Sequence, residues 1–241
     1  MRQRHIKNLD ERLKEYERQL ISNPLEQKGC WRDAFREPLF HEERKPLSGE
    51  GLKSCPLYAE VGCGKGQFIT RLSALHPENL YLAIEGQGSV GFYALRKAKA
   101  AECENVRFIL QYVHDARDFF EKGEIDGLYL NFSDPWPKPR HEKRRLTSPR
   151  MLGEFASVVK PGGFIEFKTD NDDLFAYSEE QFKANPLMSV DFLSHDLHKD
   201  LPEDQIVTTE YEDKFSARGK NIHFIRVRIL DPLESEGGSA L

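Results

Sequence analysis

The stretch from Leu128 to Arg145 combines an acid, three interleaved prolines and a run of basic side chains, and it is the part of the sequence best suited to chemistry. It reads LYLNFSDPWPKPRHEKRR. Its apolar start is typical of a strand. The prolines from Pro135 to Pro139 lack amide donors and bias the preceding residues away from helix. We therefore expect an extended, stiff backbone after Asp134, which presents Asp134 and Trp136 at fixed positions.

The basic run after this acid reverses the charge of the chain locally. Between Lys138 and Arg150 there are six basic side chains and one acid, Glu142, whereas the whole chain has a formal net charge of -5. A solvated surface is the alternative explanation for such a run taken alone. Its position directly after a strand and an acid favours a polyanionic partner.

A glycine turn forms a second candidate site. A short apolar strand, residues 57–61, is followed by Gly62-Cys63-Gly64-Lys65-Gly66 and then by apolar residues at helical spacing. Glycines allow a ligand to approach the backbone, and the helix start offers unpaired amides. The third glycine of the dinucleotide fingerprint is missing, because Gln67 stands at its position, and the full phosphate-loop pattern is also absent. The spacing therefore argues against a nicotinamide cofactor.

Glu85 ends the second predicted strand, residues 80–84, nineteen positions beyond Gly66. A carboxylate alone at a strand end is more often structural or solvated. An acid about twenty residues after a glycine turn, however, is placed to accept hydrogen bonds from ribose hydroxyls. The two features together predict a nucleoside-containing ligand.

The elements that would position these residues alternate between strands and helices. This alternation predicts an α/β fold with a doubly wound, mostly parallel sheet. Asp170 closes a fifth strand, residues 164–167, and we expect it near Asp134 because adjacent parallel strands share one carboxyl edge. We also predict a helix over residues 1–21, an irregular segment over 22–56, a polar loop over 209–215 and a late strand over 222–230.

Composition sets the limits of the architecture. With 241 residues, 39% of them hydrophobic, the chain can bury one substantial core. We expect one domain over residues 55–231, an N-terminal helix and irregular extension (1–54) packed on it, and a frayed tail (232–241). Four scattered cysteines predict neither disulfides nor a metal site. No apolar stretch reaches the length of a membrane span, and the start is too polar for a secretory signal, so we expect a cytoplasmic protein.

Taken together, these motifs closely resemble the bacterial tRNA (guanine-N7)-methyltransferases over roughly residues 55–230. The motifs that carry the resemblance are EVGxGxG at 60–66, Glu85, NFSDPWPK at 131–138, RHEKRR at 140–145, KTD at 168–170 and TEYE at 209–212. The resemblance implies a Rossmann-like class I methyltransferase fold and S-adenosyl-L-methionine as methyl donor. It also implies methylation at N7 of a guanine in the variable loop of tRNA.

The resemblance also implies roles for individual residues. The residues that it implies bind the cofactor are Glu60, Gly62, Gly64, Gly66, Glu85 and Asp134. The residues that it implies bind the substrate are Lys138, Asp170, Thr209, Glu210, Tyr211 and Glu212. The sequence departs from the family pattern at one position. The family has a further acid on the cofactor side after the third strand, and here Tyr112 stands in its place. Either Asp115 takes over that role or the adenine end is held differently.

Guanine N7 offers a lone pair and has no proton to lose at neutral pH, so the reaction needs alignment more than a strong base. Asp134 is the candidate catalytic residue, because a carboxylate favours the positive charge that develops on the guanine. Asp170 could hold the base edge, and Trp136 either stacks on a base or covers the strand ends. Residues expected to contact RNA phosphates are Arg140, Lys143, Arg144 and Arg145.

Two alternatives remain beside this interpretation. An amino-group methyltransferase acting on adenine or glutamine also places an acid or amide, a proline and an aromatic after the fourth strand. Its motif generally has a second proline before the aromatic, whereas Trp136 follows Pro135 directly. An RNA-binding module without cofactor is the other alternative, and the glycine turn with Glu60 and Glu85 argues against it. The sequence leaves open whether the protein is a monomer or a homodimer.

Overall fold

The computed structural model describes residues 6–41, 49–216 and 219–231. The strands are β1 (Leu57–Val61), β2 (Leu80–Ile84), β3 (Val106–Ile109), β4 (Ile125–Asn131), β5 (Val159–Thr169), β6 (Met188–Ser194) and β7 (His223–Ile229). The α-helices are α1 (Leu9–Leu13), α2 (Gly49–Ser54), α3 (Gln67–Leu75), α4 (Gly88–Ala100), α5 (Ala116–Phe119), α6 (Pro149–Val158), α7 (Asp172–Ala184), α8 (Leu197–Asp200) and α9 (Glu210–Ser216). The sheet has the strand order β3-β2-β1-β4-β5-β7-β6. The predicted α/β class with a mostly parallel sheet is confirmed.

The chain divides into two compact units. The first comprises Met1–His114 with Val207–Glu210, and the second comprises Asp115–Ile206 with Tyr211–Leu241. In the first unit β1, β2 and β3 pair in parallel. Every residue of β2 and β3 is buried, as expected for parallel strands that are covered on both faces.

In the second unit β4 and β5 are parallel, and the register places Asn131 opposite Lys168. β7 runs antiparallel to β5, with His223 opposite Thr169. The carboxyl ends of β4 and β5 and the amino end of β7 therefore lie at one edge. The loops that carry Asp134 and Asp170 leave the sheet at this edge, as predicted.

The helix predicted over residues 1–21 is wrong in length. Within the described residues, α1 ends at Leu13 and a 3-10 turn, Lys14–Tyr16, follows it. The chain then joins the edge of β3, where the amide of Ile21 donates to the carbonyl of Phe108 at 2.8 Å. Of the apolar residues that recur at helical spacing in this segment, Leu9, Leu13 and Leu20 are only half-buried and Tyr16 is buried. The spacing therefore did not specify a long helix.

Two other predictions also differ from the structure. β6 was not predicted, because its burial does not alternate regularly along the strand. The predicted polar loop at 209–215 is largely helix α9. The predicted frayed tail, 232–241, lies outside the described residues. Among the residues that are described, no helix is both long and apolar enough to cross a membrane.

Candidate active site

The glycine turn of the first unit has a backbone conformation that requires glycine. Gly62, Gly64 and Gly66 have φ angles of 81°, 58° and 74°, in the left-handed region that favours glycine. A Cβ atom added at Gly66 would lie 2.7 Å from the Cβ of Ala94, whereas at Gly62 and Gly64 it would meet nothing within 4 Å. Gly66 thus permits α3 and α4 to pack closely, and the other two leave open space beside the turn.

Glu85 is oriented by the same turn. Its Oε2 accepts a hydrogen bond from the amide of Gly64 at 3.0 Å, and its Oε1 accepts one from the amide of Gln87 at 2.8 Å. Glu85 therefore lies beside the glycine turn, and its predicted contact with ribose hydroxyls stays a prediction.

Glu60 lies in β1 and is only 1% exposed. Burial is the main cause that raises the pKa of the Cys63 thiol in the turn, and the nearby carboxylates of Glu60 and Glu85 raise it further. The thiol is therefore neutral at physiological pH. Glu60, Glu85 and the three glycines form one group in the first unit.

The position where the family acid is missing carries an exposed aromatic ring. Tyr112 is 56% exposed. Its ring lies on the backbone of Gly86, where an added Cβ would come within 2.2 Å of two ring carbons. Gly86 therefore makes room for Tyr112 directly beside Glu85.

The carboxylate of Asp115 interacts with the first turn of α5, the helix that follows it. Its carboxylate caps α5 by accepting from the amide of Arg117 at 2.9 Å and pairs with the Arg117 guanidinium at 2.6 Å. The side-chain hydrogen bond from Arg117 is the main cause that lowers the pKa of Asp115 to about 2. These contacts favour a helix-capping role for Asp115 over a role in holding adenine.

The loop after β4 presents an exposed acid between two unusual backbone positions. Asp134 is exposed, and among the described residues none hydrogen-bonds its carboxylate. Phe132 and Trp136 have φ angles of 50° and 41°. The prediction of an extended backbone is therefore wrong at Trp136, which adopts the left-handed region at a cost of about 1–3 kcal/mol.

The basic side chains from Lys138 to Arg145 differ in their contacts. Lys138, Arg140, Lys143 and Arg144 are exposed, and the Arg144 guanidinium carbon lies 4.9 Å from the centroid of the Trp136 ring. The Arg145 side chain instead reaches back to the loop, where its Nε donates to the carbonyl of Pro135 at 3.0 Å and its Nη2 donates to that of Trp136 at 3.3 Å.

Asp170 follows β5 and is held from two sides. Its Oδ2 accepts from the hydroxyl of Tyr211 at 3.0 Å and from Nζ of Lys220 at 2.9 Å. The Tyr211 ring also packs on Phe132 at 5.0 Å between centroids. Tyr211 thus links the β4 and β5 loops, and burial, followed by the bond to Asp170, raises its pKa. The hydroxyl therefore remains a donor at neutral pH.

Glu212 was expected to contact substrate, but its carboxylate is fully buried. It lies 3.3 Å from Nζ of Lys168, itself buried at the end of β5, and 3.1 Å from Nε2 of His198. This cluster anchors α9 beneath the exposed Tyr211.

Residues 207–210, which lead into α9, belong to the first unit. Glu210 forms an ion pair with Lys97 of α4. Thr208 bonds to the Arg71 guanidinium of α3, and Thr209 lies between these two anchored positions. Lys97, Arg71 and Lys220 were missed in the sequence, since no spacing rule links residues 50 to 137 positions apart.

Comparison with known proteins identifies the family. A family model described as "Putative methyltransferase" matches residues 54–225. The tRNA (guanine-N(7)-)-methyltransferase of Lactococcus lactis subsp. cremoris (strain SK11) is 43% identical over 95% of this chain and 99% of its own. That of Bacillus subtilis (strain 168) is 41% identical over 92% of this chain and 96% of its own. The chain belongs to the tRNA (guanine-N7)-methyltransferase family. Membership makes the chain an S-adenosyl-L-methionine-dependent enzyme, so the predicted family, activity and methyl donor are confirmed.

Solved structures support the fold of this tRNA methyltransferase. The 16S rRNA methyltransferase KamB aligns with a TM-score of 0.53 and 13% identity, covering 73% of this chain and 88% of that one. The antibiotic-resistance methyltransferase Kmr aligns with a TM-score of 0.51 and 14% identity, covering 78% of this chain and 96% of that one. Within the described part of the methyltransferase, no three His, Cys, Asp or Glu side chains are grouped so that they could hold a metal ion.

Proposed function

We propose that this methyltransferase modifies N7 of a guanine in the variable loop of tRNA, with Asp134 as its catalytic residue. The observation that carries the proposal is the loop after β4, in which an exposed acid is followed by four exposed basic side chains. Such an order favours a polyanionic substrate beside the acid. The family to which the chain belongs acts on the same substrate class.

The glycine turn fits S-adenosyl-L-methionine. The space beside Gly62 and Gly64 is open. The Glu85 carboxylate lies beside the turn, bonded to the amide of Gly64, at the place where an acid accepts ribose hydroxyls in such folds. Glu60, Gly62, Gly64, Gly66, Glu85 and Asp134 are the proposed cofactor residues. The bound cofactor supplies an electrophilic methyl group on a sulfonium centre.

The protein residues contribute orientation and electrostatics. Guanine N7 attacks with its own lone pair, so no general base is needed at this atom. The Asp134 carboxylate stabilises the positive charge that develops on the base. Asp170, held by Tyr211 and Lys220, accepts hydrogen bonds from the ring N–H and amino group of the guanine.

Contacts to the RNA divide according to exposure. Lys138, Arg140, Lys143 and Arg144 bind phosphates, because their cationic groups are at the surface. Tyr211 and Thr209 form the part of the TEYE motif that reaches the substrate. Glu210 and Glu212 act through their ion pairs with Lys97 and Lys168 and hold this segment in place.

At the adenine end, we favour Tyr112 over Asp115 as the substitute for the missing acid. The exposed Tyr112 ring on Gly86 lies beside the ribose acid Glu85, whereas the Asp115 carboxylate is occupied by Arg117. An aromatic ring offers stacking to adenine in place of a hydrogen bond.

The remaining expectations belong to this proposal. Residues 55–231 are the methyltransferase domain and residues 1–54 an extension packed on it. The protein works in the cytoplasm on tRNA, as a monomer or a homodimer.

The test is methyl transfer from labelled S-adenosyl-L-methionine to bulk unmodified tRNA. Borohydride and aniline then cleave the RNA chain at 7-methylguanosine and reveal its position. We expect cleavage in the variable loop. Labelling without cleavage would assign the methyl group to another atom, and cleavage elsewhere would reject the variable loop as target.

A further inference from the structure

We propose that Arg145 is a positioning residue that holds the Asp134 loop, rather than a phosphate contact. The inference deepens the proposed function, because it concerns the loop that carries the proposed catalytic acid. It separates Arg145 from Lys138, Arg140, Lys143 and Arg144, the exposed side chains that are proposed to bind phosphates.

The guanidinium of Arg145 bonds to the two residues that follow Asp134. Nε donates to the carbonyl oxygen of Pro135 at 3.0 Å and Nη2 donates to that of Trp136 at 3.3 Å. Two adjacent carbonyls are thus held by the rigid fork of one side chain. An ammonium group is a single point of charge on a flexible stem and does not reproduce this geometry.

The backbone at this place needs such a restraint. Trp136 has a φ of 41°, although a residue before proline favours extended conformations. Residues keep sparsely populated backbone angles only when their surroundings over-determine them. The bonds from Arg145 meet this requirement directly at Trp136.

Arg145 is itself fixed from its other side. Its guanidinium carbon lies 4.3 Å from the centroid of the Tyr177 ring. The hydroxyl of Tyr177, on α7, donates to Oε1 of Glu142 at 3.0 Å. Burial, followed by this hydrogen bond, raises the pKa of Tyr177 to about 12, so the donor persists at neutral pH. The side chain is therefore held between a helix and the loop.

The first experiment compares Arg145→Lys and Arg145→Gln with Lys143→Gln. Arg145→Lys keeps the positive charge but removes the fork, so we expect the single-turnover rate at saturating tRNA and cofactor to fall roughly 10- to 100-fold. The tRNA dissociation constant and its salt dependence should stay near those of the wild type. Lys143→Gln, the matched loss of an exposed charge, should instead weaken tRNA binding and lower its salt slope.

A second readout does not need methyl transfer. Trp31 is 0% exposed, so acrylamide quenching of the two-tryptophan protein reports mainly on Trp136. We expect stronger quenching in both Arg145 variants and wild-type quenching in Lys143→Gln. Tyr177→Leu removes the ring beneath the guanidinium without changing any charge and should shift quenching in the same direction. Tyr177→Phe keeps the ring and loses only the hydroxyl bond to Glu142, so it should shift quenching less.

The outcomes separate the two proposals. An Arg145→Lys variant with wild-type rate and quenching, together with an Arg145→Gln variant that behaves like Lys143→Gln, would overturn the positioning role and return Arg145 to the phosphate contacts. If the wild-type protein does not methylate tRNA, the proposed function fails, but quenching still decides whether Arg145 holds the loop. If Arg145→Lys unfolds, Tyr177→Leu and Tyr177→Phe provide the same comparison.

Discussion

Four acidic side chains of this methyltransferase have different environments, and the environment determines what each can do. Glu60 is buried in β1, and Glu85 is tied to the amides of the glycine turn. Asp170 is held by a tyrosine hydroxyl and an ammonium group. Asp134 is exposed, so its carboxylate remains available to a substrate.

Asp134→Asn tests this distinction, because the amide keeps the size of the side chain and removes its charge. We expect kcat to fall by about 10²–10³-fold, the range found when a group that stabilises transition-state charge is lost. Cofactor binding, measured by calorimetry, should weaken only modestly. A loss of cofactor affinity as large as the loss of kcat would instead make Asp134 mainly a cofactor ligand.

The glycine turn allows a matched comparison between Gly64→Ala and Gly66→Ala. Both glycines have positive φ, so alanine should cost about 1–2 kcal/mol of unfolding free energy at either position. Gly66→Ala should cost more, because the new methyl group would lie 2.7 Å from the Cβ of Ala94. Denaturant unfolding measures both values. Equal losses would show that α3 and α4 can separate without penalty.

At the scale of elements, side chains fix the ends of helices that carry no catalytic group. The Asp115 cap of α5 is one case, since contact with Arg117 lowers the pKa of Asp115 from 3.8 to about 2. A carboxyl with a lowered folded-state pKa stabilises the fold above its ordinary pKa, and this contribution disappears as pH falls toward the lowered value.

Asp115→Asn should therefore lower the melting temperature at pH 7, and the difference from wild type should shrink between about pH 4 and pH 2. Melting curves across this range give the result. Methyl transfer at pH 7, measured at a temperature where both proteins are folded, should be retained if Tyr112 rather than Asp115 serves the adenine end. A difference in melting temperature that does not change with pH would contradict the assigned ion pair.

The anchor of α9 depends on a buried ion pair between Lys168 and Glu212. Lys168→Met leaves the Glu212 charge buried without its ammonium partner, and should lower the unfolding free energy by about 3–5 kcal/mol. Replacing both ionic residues with methionine should recover most of this loss. If the double variant is as unstable as the sum of the single variants, the two charges do not interact.

At the scale of the whole molecule, the net charge of -5 disfavours general attraction to RNA, so affinity has to come from local cationic surface. The double variant Lys143→Ala with Arg144→Ala should weaken tRNA binding. It should also reduce the slope of log affinity against log salt by roughly 1.4–1.8, because each phosphate contact contributes about 0.7–0.9. Filter-binding titrations at several salt concentrations measure the slope. An unchanged slope would reject these residues as phosphate contacts.

Local sequence chemistry determined much of this protein. β1 and β2 have the predicted bounds, because a short apolar run with turn residues at its end is typical of a buried strand. The positive φ angles at Gly62, Gly64 and Gly66 and the pairing of the turn with Glu85 follow from residue type and spacing. The central motif at residues 131–138 identified the family, since its residues are contiguous.

Only the tertiary structure decided which charged residues are exposed and which are paired within the protein itself. Arg145 looks like its basic neighbours in the sequence, but it bonds to the loop ten residues before it. Glu212 pairs with Lys168 across 44 positions, and Lys220 reaches Asp170 across 50. Strand register and helix packing, rather than local propensity, determine such partners. A buried charge has to be paired within the protein, so burial decides whether a charged side chain is available to a ligand.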